Sequence, residues 1–379
     1  MLLAPRSVAS WLIALVLLPS PSASDAPIIV GRGTAASCTQ VTLQPALDIA
    51  RSSGGGTIRF RCGPSPVVIA LTATLIVPDN TAIDGGGLIT LDGSDVVPIV
   101  SVERNTSVSM KSLTFKHGRS TGDFPAAGAV RNEGRLAIDR GSFVANNGTL
   151  DAVIYNTGTL NLKNTVFSEN AAPFTIINTG PLVIVNSLFS GNGGGDFSGS
   201  VIFAFGLVDA LTPVIIENSS FVRNQGPGVV NHSALTVKSS TFSENDGTGI
   251  HNADVGTLTV DNSLFVKNAG AEGGGGGITN NGGAIVRNSS FIGNTGSAGA
   301  IASYIETLTI ENCVLTGNTG GVGEIFNAGD VTIRNSVITG NVGVGAPGVG
   351  GVYTCCGGNP PVLVRSVVVG NEPNDIVPH

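Results

Sequence analysis

The chain has 379 residues, 41% hydrophobic and only 12% charged, about half the charge fraction usual in soluble domains, with a net charge of −7. That apolar content excludes a disordered chain, and the lack of any basic cluster excludes nucleic acid as a partner. The 54 glycines beside 5% aromatic residues favour one long, regular β architecture over several compact cores.

The first element is Arg6, the apolar run from Trp11 to Leu18, Pro19, Pro21 and the small residues Ser22 and Ser24. This has the basic, apolar and small-residue order of a secretory signal, with cleavage after about Ser24, so residues 1–24 are expected to be removed and the protein secreted or held at the cell surface. No later stretch reaches the roughly 18 apolar residues of a membrane helix, so no transmembrane span is expected in the mature chain.

Residues 25–106 read as an N-terminal cap and the first, irregular coils. Leu43, Ala46, Leu47 and Ala50 share one face of an amphipathic helix from Leu43 to Ser52, preceded by Thr42 and ended by Gly54, Gly55 and Gly56. Short strands follow at Thr57 to Phe60, Val67 to Leu71, Thr81 to Asp84 and Leu88 to Leu91. Cys38 and Cys62 bracket the helix and are expected to be bonded. Cys355 and Cys356 are adjacent, which leaves a vicinal bridge, a bond to Cys313 or separate fates open.

From residue 107 to 371 one sentence recurs about eleven times: Leu-x-Ile-x-Asn-Ser/Thr-x-Phe-x-x-Asn, a glycine-rich link, then Ile/Val-x-Asn-x-Gly. Phe115, Phe143, Phe167, Phe189, Phe221, Phe242, Phe265 and Phe291 hold the aromatic place, and Leu315, Ile338 and Val368 continue it. The period-two alternation in Leu160-Asn161-Leu162-Lys163 marks strands, too few per unit to bury anything alone. Stacked units pair in parallel, and crossovers are right-handed, so the expected fold is all-β, a single-stranded right-handed parallel β-helix (β-solenoid). Residues 372–379 form a C-terminal tail, and two segments, Gly193 to Leu211 and Gly343 to Gly358, bulge from the rod.

Stacking places equivalent side chains side by side. Four residues before the aromatic, the sequence reads Asp139, Lys163, Val185, Glu217, Lys238, Asp261, Arg287, Glu311, Arg334 and Val364, an alternation that predicts inter-coil ion pairs. Three before it stand Asn164, Asn186, Asn218, Asn262, Asn288, Asn312 and Asn335; three after it stand Asn146, Asn170 and their successors to Asn371. Both rows are expected to be structural ladders at left-handed corners. Cys313 replaces the small Ser or Thr of its column and is expected to sit unpaired.

The motif Phe-x-x-Asn, as in Phe167 to Asn170 and Phe291 to Asn294, with Gly-Gly-Ala-Ile at Gly282 to Ile285, resembles the repeats of polymorphic outer-membrane proteins over about 265 of 379 residues. The run from Cys38 to Asp92, with Ile83-Asp84-Gly85-Gly86-Gly87, is similar to the entry of secreted right-handed β-helix proteins of the pectin-lyase-like superfamily. The resemblance implies polysaccharide lyase or glycoside hydrolase chemistry, surface display, or the passenger of an autotransporter. No set of barrel strands follows Asn371, so a passenger would be a truncated one.

Catalytic signals are sparse. Asp84 and Asp92 precede glycines as turn-capping aspartates do, and His117, His232, His251 and His379 read as turn or terminal residues. No cofactor is expected, with calcium entering only under the lyase alternative. One outward stripe in the second strand reads Arg131, Tyr155, Ile177, Asn231, His251, Thr279, Ala302, Phe326 and Tyr353; of these Arg131, Tyr155, His251, Phe326 and Tyr353 are the candidate ligand residues. The expected function is surface display, adhesion or binding of a polysaccharide or matrix component without catalysis, with the enzyme as alternative.

Overall fold

The computed structural model describes residues 26–120, 127–148, 152–193, 199–206, 211–345 and 348–378. The expected signal at residues 1–24, Trp11 and His379 lie outside them, as do parts of both bulges.

Alternating apolar residues with glycine or asparagine corners wind the chain into about 12 turns of a right-handed parallel β-solenoid. Three faces result. Face 1 runs from Arg135–Asp139 to Val362–Val364 and face 2 from Ser142–Val144 to Val367–Val369. The long strands Thr81–Asp92 and Ser107–Lys116 pass through both and join them into one sheet. Face 3 is a separate sheet of 13 strands from Leu75–Ile76 to Ile376–Pro378.

The entrance is closed by a helix, α1, at Gln40–Ser52, three residues longer at its start than the apolar pattern alone predicts. Thr39 and Thr42 form a reciprocal capping box, which supplies the missing start signal. Leu43, Ala46, Leu47 and Ala50 are buried on the first coil. Cys38 and Cys62 are bridged with 5.7 Å between Cα atoms. Cys355 is bridged to Cys356, and Cys313 is free and buried.

The early coils differ from the reading of irregular separate strands. Thr81 to Asp84 and Leu88 to Leu91 belong to one strand, whose register shifts between Asp84 and Ile89. Gly86 and Gly87 take positive φ there and the Gly86 N–H donates to Asp84 Oδ1 at 3.1 Å, so Asp84 caps the corner at which the strand passes from face 1 to face 2.

The aromatic column is continuous. Phe143 pairs with Phe115 and Phe167 in register, and the eight rings from Phe115 to Phe291 stack with neighbouring centroids between 4.5 Å and 5.1 Å. This matches the strand spacing of about 4.8 Å. Beside three of the rings stands a glycine: a Cβ on Gly228 would come 2.8 Å from Phe242 and one on Gly249 2.7 Å from Phe265, whereas in the preceding coils the same position holds Ala129, Val153, Thr175 and Val201. Where Leu315 and Ile338 replace the rings, the same column becomes Ala300 and Glu324.

The charge column is in vertical register and longer than the repeat suggests. It begins at Arg59, Asp84 and Lys111 before Asp139, and alternates to Arg334 with Val185 as its one break. Among its described members one neighbouring pair closes as an ion pair, Lys238 Nζ to Glu217 Oε1 at 3.8 Å. The others sit one strand apart in solvent, where alternation avoids repulsion without fixing contacts.

The two asparagine rows are not equivalent. Asn164, Asn186, Asn218, Asn262, Asn288, Asn312 and Asn335 take positive φ but are exposed. Their amides link only intermittently, Asn186 to Asn164 at 3.3 Å and Asn312 to Asn288 at 3.2 Å, or reach to Asp139 and Asp261. The row is a set of left-handed corners and not a continuous ladder. The continuous ladder is the other row: from Asn146 to Asn371 each amide donates to the next Oδ1, and each is buried without positive φ. A further buried ladder on face 3 links Asn132, Asn156 and Asn178, and then Asn231, Asn252 and Asn280.

Candidate functional site

The outward column of face 3 is fixed by the buried asparagine beside it. Pairing of Asn231 with Asn252 and of Val230 with His251 removes Asn231 from the stripe and puts Val230 there. Strand Ile202–Phe205, inside the segment read as a bulge, adds Phe203 next to Ile177 and Val230. The stripe therefore runs Arg131, Tyr155, Ile177, Phe203, Val230, His251, Thr279, Ala302, Phe326, Tyr353.

It is not a uniform surface. Thr279 and Ala302 are buried beneath the glycine-rich segment 269–276, where Gly275 N–H donates to Thr279 Oγ1 at 3.0 Å and the Tyr304 hydroxyl donates to the Gly273 carbonyl. This cover divides the stripe into two aromatic patches. In one, Phe203 lies 5.4 Å from Phe174, 5.3 Å from Phe205 and 5.6 Å from His232, ring centre to ring centre, and all four are half-buried. In the other, Phe326 lies 5.1 Å from Tyr304 and 6.1 Å from Tyr353. Tyr353 and Cys355 are buried with Val349 in a small apolar cluster outside the rod, so the vicinal bridge helps support this second patch.

At the N-terminal end of the stripe Arg104 Nε lies 3.1 Å from Glu133 Oε2, and Arg131 binds the other oxygen of the same carboxylate. Beside them burial pushes the Tyr155 hydroxyl above its ordinary pKa, with Arg131 opposing and Glu133 adding to the shift. Burial, then the proximity of His232, lowers the His251 pKa against the opposing charge of Asp254, so the ring is neutral at pH 7. The candidate residues thus fall at three places: Arg131 and Tyr155 at one end, His251 midway, and Phe326 with Tyr353 in the second patch.

Two groups escape the repeat. His117 Nδ1 lies 3.1 Å from Asp92 Oδ2, while the other oxygen of Asp92 accepts the Ser94 N–H at 2.7 Å, so the capping aspartate also orients an imidazole. Their separation of 25 residues, one coil, is the sequence signal that joins them. Glu324 is fully buried in the rod: Asn318 Nδ2 donates to Oε1 at 2.8 Å, and Oε2 has no partner. Burial raises its pKa well above the usual carboxyl value, outweighing the Asn318 hydrogen bond. Among the described residues no three His, Cys, Asp or Glu side chains gather as cation ligands. No helix among them is long and apolar enough to cross a membrane.

A comparison with curated proteins finds no match. Residues 99–272 match the family described as right handed beta helix region. Among solved structures, the chain is similar to the catalytic unit of a GH87 α-1,3-glucanase from Streptomyces thermodiastaticus strain HF3-3, at 12% identity and TM-score 0.59 over 92% of this chain and 70% of that one. A mannuronic acid specific family 6 polysaccharide lyase from human gut microbiota matches at 12% identity and TM-score 0.58 over 90% of both chains. The family 6 alginate lyase AlyGC matches at 15% and 0.58, over 93% of this chain and 53% of its own. At such identities the likeness is one of fold. Residues 99–272 thus carry a right-handed β-helix region, and the chain as a whole is an all-β right-handed parallel β-solenoid.

Proposed function

We propose that the chain is a secreted or surface-displayed solenoid that binds a polysaccharide or matrix component through face 3 without catalysis. The supporting observation is the pair of half-exposed aromatic patches, one around Phe203 and one around Phe326, on a rigid sheet. Flat rings held by a packed scaffold offer the apolar surface against which pyranose rings stack, at little entropic cost. A glycosidase site needs two carboxyls about 5–10 Å apart. The nine face-3 strands from Ala152–Asn156 to Val352–Thr354 contain no Asp or Glu, and the nearby Glu133 is engaged by two arginines. Export is supported by the order of residues from Arg6 to Ser24.

The test is sedimentation with insoluble cell-wall and matrix polysaccharides. The chain should co-sediment with at least one, and the double variant Phe203→Ala, Phe326→Ala should remain in solution with an unchanged circular dichroism spectrum. Co-sedimentation that survives both substitutions would place binding elsewhere.

One observation favours a second reading, a polysaccharide lyase or hydrolase: a carboxylate-oriented imidazole such as Asp92–His117 is what a general base requires. Release of reducing ends or unsaturated uronides by the chain, abolished in His117→Ala, would establish that reading over the first.

A further inference from the structure

We propose that the glycan taken by face 3 is an uncharged one and that uronate polymers are excluded, an inference that rests on the assignment of binding to this face. The solenoid separates its charges by face. Face 1 carries the alternating column from Arg59 to Arg334, with an acid or base at nearly every coil. The nine strands of face 3 from Ala152–Asn156 to Val352–Thr354 contain no Lys and no Arg, as they contain no Asp and no Glu. Eight steps of about 4.8 Å make this neutral strip about 38 Å long. One step is close to the length of one pyranose unit, so the strip suits a polymer of several sugars.

The charged groups at its margins do not invite an anion. Arg104 and Arg131 converge on the single carboxylate of Glu133, which compensates one of the two charges and engages one nitrogen of each guanidinium. Asp254 stands near His251, and Glu272 belongs to the segment that covers Thr279. A uronate laid over Phe203 and Phe326 would lose hydration without gaining a cation, and it would approach a chain of net charge −7. A neutral glycan meets neither cost. Proteins of this fold act on both an α-1,3-glucan and mannuronic acid polymers, so the choice lies in the face and not in the solenoid.

Native electrophoresis in gels carrying a soluble neutral glucan, a galactomannan, alginate or polygalacturonate tests this. The chain should be retarded by at least one neutral polymer, equally at low and high salt, and not by alginate or polygalacturonate. Phe203→Ala and Phe326→Ala should each weaken the neutral interaction about tenfold. Glu133→Gln, which releases two arginines at the surface, should keep neutral binding and add a salt-sensitive retardation in alginate. Retardation of the unaltered chain by the uronates and not by the neutral polymers would overturn the inference while leaving face 3 as the site. Retardation in no gel, or neutral binding indifferent to both phenylalanine substitutions, would overturn the assignment of the site as well.

Discussion

At the scale of single residues, the same letter does different work a few positions apart. Asn268 is buried, accepts the Asn245 N–H and donates to both Phe242 O and Asn294 Oδ1. Asn288 is exposed with φ of 52°, and its side chain donates to Asp261 and accepts from Asn312 at the solvent-facing corner. Asn268→Ala should therefore cost about 2–4 kcal/mol by orphaning buried partners. Asn288→Gly should change stability by less than about 0.5 kcal/mol, because glycine adopts that backbone freely. Denaturant unfolding checks both, and equal losses would contradict the distinction. Glu324 yields a pH prediction. Its folded pKa is raised, so above the usual value of 4.5 the unfolded chain releases a proton that the folded chain keeps. Stability must then fall as pH rises from 4.5 towards the folded pKa. Glu324→Gln should raise the melting temperature at pH 7 and above and leave it nearly unchanged near pH 4, whereas parallel pH curves for the two proteins would refute the assignment.

At the scale of strands and columns, the phenylalanine stack is continuous while its neighbours change, from Ala129, Val153, Thr175 and Val201 in the early coils to Gly228, Gly249 and Gly277 in the later ones. Gly249→Ala should destabilise by about 1–3 kcal/mol because a Cβ there would come 2.7 Å from the Phe265 ring and 2.8 Å from the Gly277 carbonyl oxygen. Adding Phe265→Leu should recover part of that loss, and additive effects in thermal unfolding would contradict the coupling. The phenylalanine stack was legible in the sequence because burial imposes the same residue type at each coil, as at Phe143, Phe167 and Phe189. The stripe was legible only in part. Its phase is marked by the ladder asparagine, and Ala204 stands in that place in the coil that carries Phe203, so nothing announced the strand. Asn231, read as outward, is itself the marker, and its pairing with Asn252 corrects the phase. The cover over Thr279 left no local signal, because a glycine-rich link has no preferred direction until it meets Tyr304.

At the scale of the whole molecule, stacking converts a sequence period into surfaces of different chemistry. Nearly every coil contributes one charge to face 1, and each repeat adds one ring or aliphatic side chain to the stacked column in the core and one side chain to the face-3 stripe. Polarity is consequently sorted by face along the length of the rod. The paired Asp92 and His117 lie apart from the stripe, Asp92 at the end of the strand Thr81–Asp92 and His117 just after the strand Ser107–Lys116 of the next coil. Binding at face 3 and chemistry at this pair are therefore spatially distinct hypotheses. A crystal structure of the chain with a neutral oligosaccharide separates them most directly. The sugar rings should lie against Phe203, Phe205 and His232 or against Phe326 and Tyr304; density beside His117, or on face 1 with both aromatic patches bare, would contradict the assignment of binding to face 3.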